Sequence, residues 1–534
     1  NQSGRKTNNH KDMNENQTTT EEFSYDVMAY PSLTLAQTHP DRLSAVAKLY
    51  GMNPAPADKC RVLELGCGTG TNVNWLAANL PESEFVGVDL AQVHIIEAKR
   101  HTAELGLKNV SFFQQDVMEI TEKTFGKFDY IIAHGLFSWV PDFVREKVLS
   151  VYDELLNAEG VGFISYNVYP GCYRRQMVGE MMQFYTARFE NPVEKVEKGV
   201  EFIRFLTDST VSNNTYHELL KHELEGFSRR PIENIYHDDL SEINQPFYFT
   251  EFIADAEKHN LKFLSECDYL PTQRNNIPPD IADVFDTYSR NTIEYEQYAD
   301  FLDCRRFRQT LLCKKDINLK DEINPLDLRE YYVSSQMKPT APTIDLNPNS
   351  FKEFIGKRGD SVRIAHVLTK VVLSLLVNFG SHPVKFDELI AKGSEILQSQ
   401  GFISEEPEKD VEITASLLLQ LYSPSAVGFH TVQSNLLDYV SEKPIVDRFA
   451  LWHSAQSDLA VNYYGIGLNV EDDFTRMLLQ LLDGTRTRED LIKDITEIIN
   501  SNEKIEDEES FFAELSEKLD RDLFILAKMG FLIG

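Results

Sequence analysis

The chain has 534 residues, 42% of them hydrophobic, enough for about three or four globular domains. Its 84 acidic and 53 basic residues leave a net charge of −31, which repels phosphate backbones and excludes nucleic acid as a general substrate. That charge suits a basic or lysine-rich protein partner, or serves only solubility in a cytoplasmic setting. No run of about 18 apolar residues occurs, so no membrane insertion is expected, and no secretory signal is visible. The six cysteines are scattered without a C-x-x-C pair, which fits a reducing compartment and leaves no metal site to expect.

In chain order, residues 1–22 are polar and too poor in apolar side chains to build a core, so they read as disordered. From residue 23 the chain gains structure, and a helix is expected over Asp41–Tyr50. The stretch Arg61–Asn72, RVLELGCGTGTN, is an apolar strand, a turn with Gly66, Gly68 and Gly70, and a new helix. Glycine lets the backbone approach a ligand there, and the spacing G-x-G-x-G is tighter than the dinucleotide fingerprint, suiting a nucleoside without a pyrophosphate. A second strand, Glu84–Leu90, ends in Asp89, placed to accept from ribose hydroxyls. A third, Val110–Gln115, ends in Asp116, whose carboxylate could meet an adenine amino group.

A fourth strand, Phe128–His134, opens into GLFSWVP before a helix over Asp142–Leu156, and a fifth, Val161–Asn167, ends in SYNVYPG. Loops at the carboxyl ends of parallel strands are where α/β ligands bind, so His134, Phe137, Ser138 and Trp139 should face cofactor or substrate. Trp139 is equally readable as a core aromatic. The last helix and the antiparallel pair are expected at Tyr248–His259, Leu261–Cys267 and Phe307–Lys314. Between them lie a helical insertion, with helices over Glu194–Leu206 and Thr215–Phe227, and a second excursion from Pro271 to Arg306. In HELLKH, His217 and His222 are five apart, which turns them about 140° round a helix and spoils the one-face geometry of a zinc motif.

From Pro339 to Pro348, PTAPTIDLNP reads as a linker. Helices follow at Ile364–Val377 and Phe386–Ile396, then a helix-turn-helix over Asp472–Ile499, consistent with winged-helix units. Between Asn502 and Asp522 nine acidic residues face three basic ones, so nucleic-acid use of this tail is disfavoured. There Phe511, Phe512, Leu515, Leu519 and Leu523 recur at helical spacing and read as core.

The ordered set Glu64, Gly66, Gly68, Gly70, Asp89 and Asp116 resembles the motifs of class I S-adenosylmethionine-dependent methyltransferases. Over nearly the whole chain, YPSLTLAQTHPDRL, RVLELGCGTGTN, FDYIIAHGLFSWVP, SYNVYPG, ADFLDCRRFRQTLLC and LLDGTRTREDL resemble the bacterial methyltransferases with a methyltransferase regulatory domain. The rickettsial lysine methyltransferases that act on an outer-membrane protein are members. The resemblance implies an α/β, Rossmann-like catalytic sheet with a helical inserted regulatory domain and a C-terminal winged-helix-like region. The divisions expected are 1–22, 23–171 (methyltransferase core), 172–246 (insertion), 247–335 (end of the sheet), 336–350 (linker) and 351–534. Cys172-Tyr173, where many relatives have Trp-His, and Asp303-Cys304-Arg305 depart from the family pattern.

The resemblance implies S-adenosylmethionine as cofactor, S-adenosylhomocysteine as product and no metal. It places the cofactor at Glu64, Gly66, Cys67, Gly68, Thr69, Gly70, Asp89, Leu90, Asp116, Val117, His134 and Gly135. Tyr166, Asn167, Tyr169 and His134 are the candidate catalytic residues, and Phe137, Trp139 and Tyr173 the candidate substrate contacts. Tyr30, Gln37 and His39 are candidate lid residues, with packing or capping as equal alternatives. The function implied is methylation of protein lysines, with a protein substrate and a homodimer among the partners. The alternatives are a small-molecule methyltransferase or a cofactor-sensing interaction protein.

Overall fold

The structure is a computed structural model that describes residues 28, 30, 33–212, 214–268, 277–423, 425–502 and 508–534. The expected disorder of residues 1–22 lies outside the described residues.

Alternating strands and helices build a seven-stranded sheet. Helix α1 (Pro40–Leu49) precedes β1 (Arg61–Leu65), α2 (Thr71–Asn79), β2 (Glu84–Asp89), α3 (Gln92–Leu105), β3 (Val110–Gln114) and β4 (Phe128–Ala133). Helix α4 (Asp142–Leu155) then runs straight into β5 (Leu156–Asn167). Helices α5 (Cys172–Thr186), α6 (Pro192–Ser209), α7 (Thr215–Phe227) and α8 (Ile232–Asp239) form an inserted unit around Val178, Met182, Ile203, Leu220 and Ile235. Helix α9 (Phe249–Lys258), β6 (Leu261–Glu266), α10 (Pro279–Tyr288), α11 (Thr292–Asp303) and β7 (Phe307–Lys314) complete the sheet. Its order is β3-β2-β1-β4-β5-β7-β6, with β7 antiparallel to both neighbours. This is the sheet that the resemblance implies, and its switch point lies between β1 and β4, where ligands of open α/β sheets bind.

Strand alternation divides the core. Leu63, Ile131, Ile164 and Tyr166 point to the face covered by α4 and α9, where they meet Val148, Tyr152, Phe249 and Phe252. Val62, Tyr130, Ile132 and Phe163 point to the other face, and their core continues without a break into the C-terminal half through Leu368, Val372, Leu418 and Phe429. There β8 (Tyr332–Ser335) pairs with the strand Val427–His430, and helices Val367–Phe379, Phe386–Ser399 and Pro407–Gln420 pack alongside. The last unit holds helices Asp473–Leu481, Arg488–Asn502 and Glu508–Lys528, with Leu515, Leu519 and Leu523 in its core.

Candidate functional site

The glycine turn takes its shape from local sterics. Gly66, Gly68 and Gly70 have φ of 69°, 53° and 69°, a region that suits glycine. A Cβ on Gly70 would stand 2.6 Å from the Phe112 ring, whereas one on Gly68 would meet nothing within 4 Å. Gly70 is thus buried against the sheet while Gly68 borders open space. The N–H groups of Gly66 and Cys67 donate to the Val88 carbonyl at 2.9 and 3.0 Å, pinning the turn to β2. Asp89 completes the ring: its carboxylate accepts from the Gly68 N–H at 2.8 Å and from the Ala91 N–H at 2.9 Å.

Beneath the turn, Glu64 is buried and accepts from the Asn72 amide at 2.9 Å. Burial, reinforced by the nearby Asp89, pushes its carboxyl up to about 7. The same Asn72 amide donates to the Thr38 hydroxyl at 3.0 Å, and its oxygen accepts from the Leu35 N–H at 2.8 Å. The segment Leu33–His39 is thereby fastened to the first turn of α2. Asn72 and Thr38 were not among the sequence candidates, although Asn72 closes the GTGTN motif and could have been read as part of it.

At the end of β4, His134 stacks on Phe163 at 6.1 Å and meets the edge of Phe307 at 6.2 Å. Burial lowers its pKa to about 4, so it is neutral at physiological pH. Gly135, with φ of 65°, donates its N–H to Ser165 Oγ at 2.8 Å, and a Cβ there would also meet open space. By strand alternation, Glu64, His134, Ser165 and Asn167 share one sheet face. The backbone N–H of Asn167 donates to Ser138 Oγ at 2.8 Å, and its side-chain amide donates to Asn244 at 2.8 Å. After β5, Tyr169 donates its hydroxyl proton to Gln176 at 3.0 Å and stacks on Tyr173 at 4.2 Å. The Tyr173 hydroxyl lies 3.1 Å from that of Tyr248. Tyr173 is 52% exposed. Burial pushes the Tyr169 phenol above its ordinary value, so it stays protonated.

Tyr166 and Phe137 lie away from the turn, and Cys67 and His39 have their side chains buried. Tyr166, expected near the transferring methyl, points to the opposite sheet face, stacks on Phe252 at 3.9 Å and hydrogen-bonds Thr310 at 2.9 Å. Phe137, expected in a substrate channel, is 2% exposed and packs on Phe247 and Phe252 of the same core. Cys67, expected at the cofactor, has its N–H committed to Val88 and its side chain buried in the core. His39, read equally as a lid residue or as packing or capping, is the buried cap of α1: its Nδ1 accepts from the Asp41 N–H at 3.2 Å, and its ring packs on Trp75 and Tyr463.

Asp116 is exposed and accepts from the Met118 N–H at 2.9 Å, Leu90 is exposed and Val117 is half-buried. Thr69 Oγ1 lies 3.4 Å from Thr71 Oγ1. Trp139 is half-buried, and Gln37 offers its carbonyl to Cys267 Sγ at 2.8 Å. Tyr30 accepts from the Asn234 amide of α8 at 3.3 Å. The open faces of Gly68 and Gly135, the carboxylates of Asp89 and Asp116 and a neutral imidazole fit a nucleoside-bearing cofactor. Among the described residues no group of three His, Cys, Asp or Glu could hold a metal ion.

Three family matches divide the chain: a methyltransferase domain over residues 56–222, a predicted methyltransferase regulatory domain over 232–314, and a PKMT C-terminal winged helix domain over 442–531. An uncharacterized protein of Rickettsia prowazekii is 36% identical over 246 residues, 46% of this chain and 98% of that protein. Another from the same strain is 29% identical over 509 residues, 93% of this chain and 90% of that one. The chain belongs to the class I S-adenosylmethionine-dependent methyltransferases with a regulatory domain. This methyltransferase is also similar to PKMT2 from Rickettsia typhi, solved in complex with AdoHcy, at 26% identity and a TM-score of 0.82, covering 95% of this chain and 100% of that one. The methyltransferase regulatory match begins in α8 and ends with β7, so it spans both the close of the inserted helices and the second excursion.

Proposed function

We propose that this methyltransferase transfers methyl groups to lysine side chains of a protein. The observation that carries this reading is the reach of the likeness to PKMT2: at 95% of the chain, it takes in the inserted helices and the C-terminal units as well as the cofactor fold. A basic, lysine-rich partner in the cytoplasm suits a protein of charge −31.

When bound, S-adenosylmethionine supplies an electrophilic methyl on a sulfonium. In this reading Asp89 holds the ribose, Asp116 the adenine, and the Gly66–Gly70 turn gives the backbone its close approach. Glu64 sets the turn through Asn72. Asn167 and the Tyr169 hydroxyl orient the acceptor amine, with Trp139 and Tyr173 beside its path. At pH 7.5 a lysine with an ordinary pKa near 10.4 pays about 4 kcal/mol to become neutral. His134, at about 4, is too weak a base to take that proton, so it orients and excludes water while the proton leaves to solvent before the amine is enclosed.

Methyl-labelled S-adenosylmethionine, given to the protein with a cell extract split into macromolecules and small molecules, tests the reading. Base-stable label in protein is expected, and Tyr169→Phe and Asn167→Ala should each lower turnover at least tenfold with cofactor affinity kept. Label confined to small molecules overturns the acceptor assignment, and normal turnover in both variants overturns the residue roles.

A further inference from the structure

The segment fastened to Asn72 leads into a second fastening made by the far end of the chain. Two residues into α1, Asp41 is 2% exposed and holds four groups of the C-terminal half, the Val432 N–H at 3.4 Å among them. His430 Nδ1 lies 2.8 Å from its Oδ2, and the Thr431 N–H and hydroxyl donate to its Oδ1 at 2.6 and 2.9 Å. His430 is itself buried, its Nε2 2.8 Å from the Ser334 hydroxyl of β8. Nearby, the turn Asn462–Gly465 presses on the same segment. Its Asn462 carbonyl accepts from the Trp75 indole of α2 at 2.9 Å, Tyr463 lies 5.2 Å from His39, and a Cβ on Gly465 would stand 2.6 Å from Ala36.

A carboxylate taken out of water on four donors costs desolvation that a surface contact would avoid, and its geometry fixes where α1 begins. The start of α1 in turn fixes Thr38 and Leu35, the two partners of Asn72, and Asn72 holds Glu64 under the glycine turn.

We propose that Asp41 and His430 form a latch through which the C-terminal half positions the Leu33–His39 strap for cofactor binding. Asp41, His430 and Thr431 are positioning residues: they act on the cofactor only through the strap and Asn72. The inference rests on the placement of the cofactor over the glycine turn, and it makes the C-terminal half part of the cofactor site.

The test is S-adenosylhomocysteine affinity by calorimetry, on full-length protein well below its melting temperature, for Asp41→Ala, Asn72→Ala and the double variant. Each single variant should weaken binding tenfold or more, and the double should fall within about twofold of Asn72→Ala alone, because both act on one strap. His430→Gln serves where Asp41→Ala fails to fold, and His430→Asn, which restores a donor near the Nδ1 position, should recover most of the affinity. Parent-like binding in Asp41→Ala and His430→Gln, or losses that multiply in the double variant, overturns the latch. A parent protein that does not bind S-adenosylhomocysteine overturns the cofactor placement instead.

Discussion

Glu64 and His39 titrate in opposite senses, and both bear on the cofactor turn. The Glu64 carboxyl stands at about 7 against an ordinary 4.5. Between those values the folded protein keeps a proton that the unfolded chain has lost. Its contribution is therefore fully present below pH 4.5 and falls by about 3 kcal/mol as pH rises through 7. Glu64→Gln keeps the acceptor for Asn72 and removes the titration. In cofactor-free protein its stability advantage over the parent should grow from pH 4.5 to 8 in denaturant unfolding; a flat difference would contradict the assignment. His39 is held near 4 by burial, below its ordinary 6.5. The unfolded chain binds the proton first, so this contribution is present above pH 6.5 and lost as pH falls toward 4. His39→Asn retains a capping side chain, and its unfolding free energy should decline less steeply than the parent's between pH 6.5 and 4.

At the scale of elements, the second excursion is pinned by a buried charge cluster. Arg308 of β7 is 1% exposed and meets Glu266 of β6 at 2.8 Å and both Asp300 and Glu296 of α11, at 2.8 and 3.0 Å. Removing the cation leaves three acids without it in a low-dielectric site. Arg308→Met should destabilise the protein by about 3–5 kcal/mol in denaturant unfolding, and a loss under about 1 kcal/mol would show that the cluster does not hold α11. The strands around the turn were readable because glycine spacing and apolar runs are local properties. Third-strand, fourth-strand and last-strand positions accordingly agree with the sequence reading to within a residue or two. Tyr166 and Phe137 depart from the sequence reading because the core that buries a ring is decided by partners far along the chain: Phe252 packs on Tyr166 and Phe247 on Phe137. Even the stretch read as a linker is tied down, since Lys352 donates to the Ala341 and Thr343 carbonyls at 2.7 and 2.9 Å and Lys370 to those of Asp345 and Asn347 at 2.7 and 3.0 Å. Lysines beyond the linker gave no sequence signal of that kind.

Across the whole molecule, the catalytic sheet and the C-terminal half share one core. Beside Trp75 and Asn462, Arg448 donates to the Leu105 carbonyl at 3.0 Å and the Trp452 indole to Glu104 at 2.9 Å. Tyr331 donates its hydroxyl proton to the Ala45 carbonyl at 3.2 Å. Cutting after residue 331 would expose the apolar sides of α1 and α2. Such a truncation should lose cooperative unfolding and bind hydrophobic dyes, whereas a soluble, cooperatively folding fragment would show that the shared core is dispensable. The identity of the methyl acceptor is read most directly from the amino acid that carries the label. Protein labelled by methyl-labelled S-adenosylmethionine should be hydrolysed to amino acids, in parallel for the parent and for Asp89→Ala. Label recovered as N-methylated lysine with the parent, and absent with the variant, is the predicted result. Label on any other amino acid, or lysine labelling that persists in Asp89→Ala, would contradict the account.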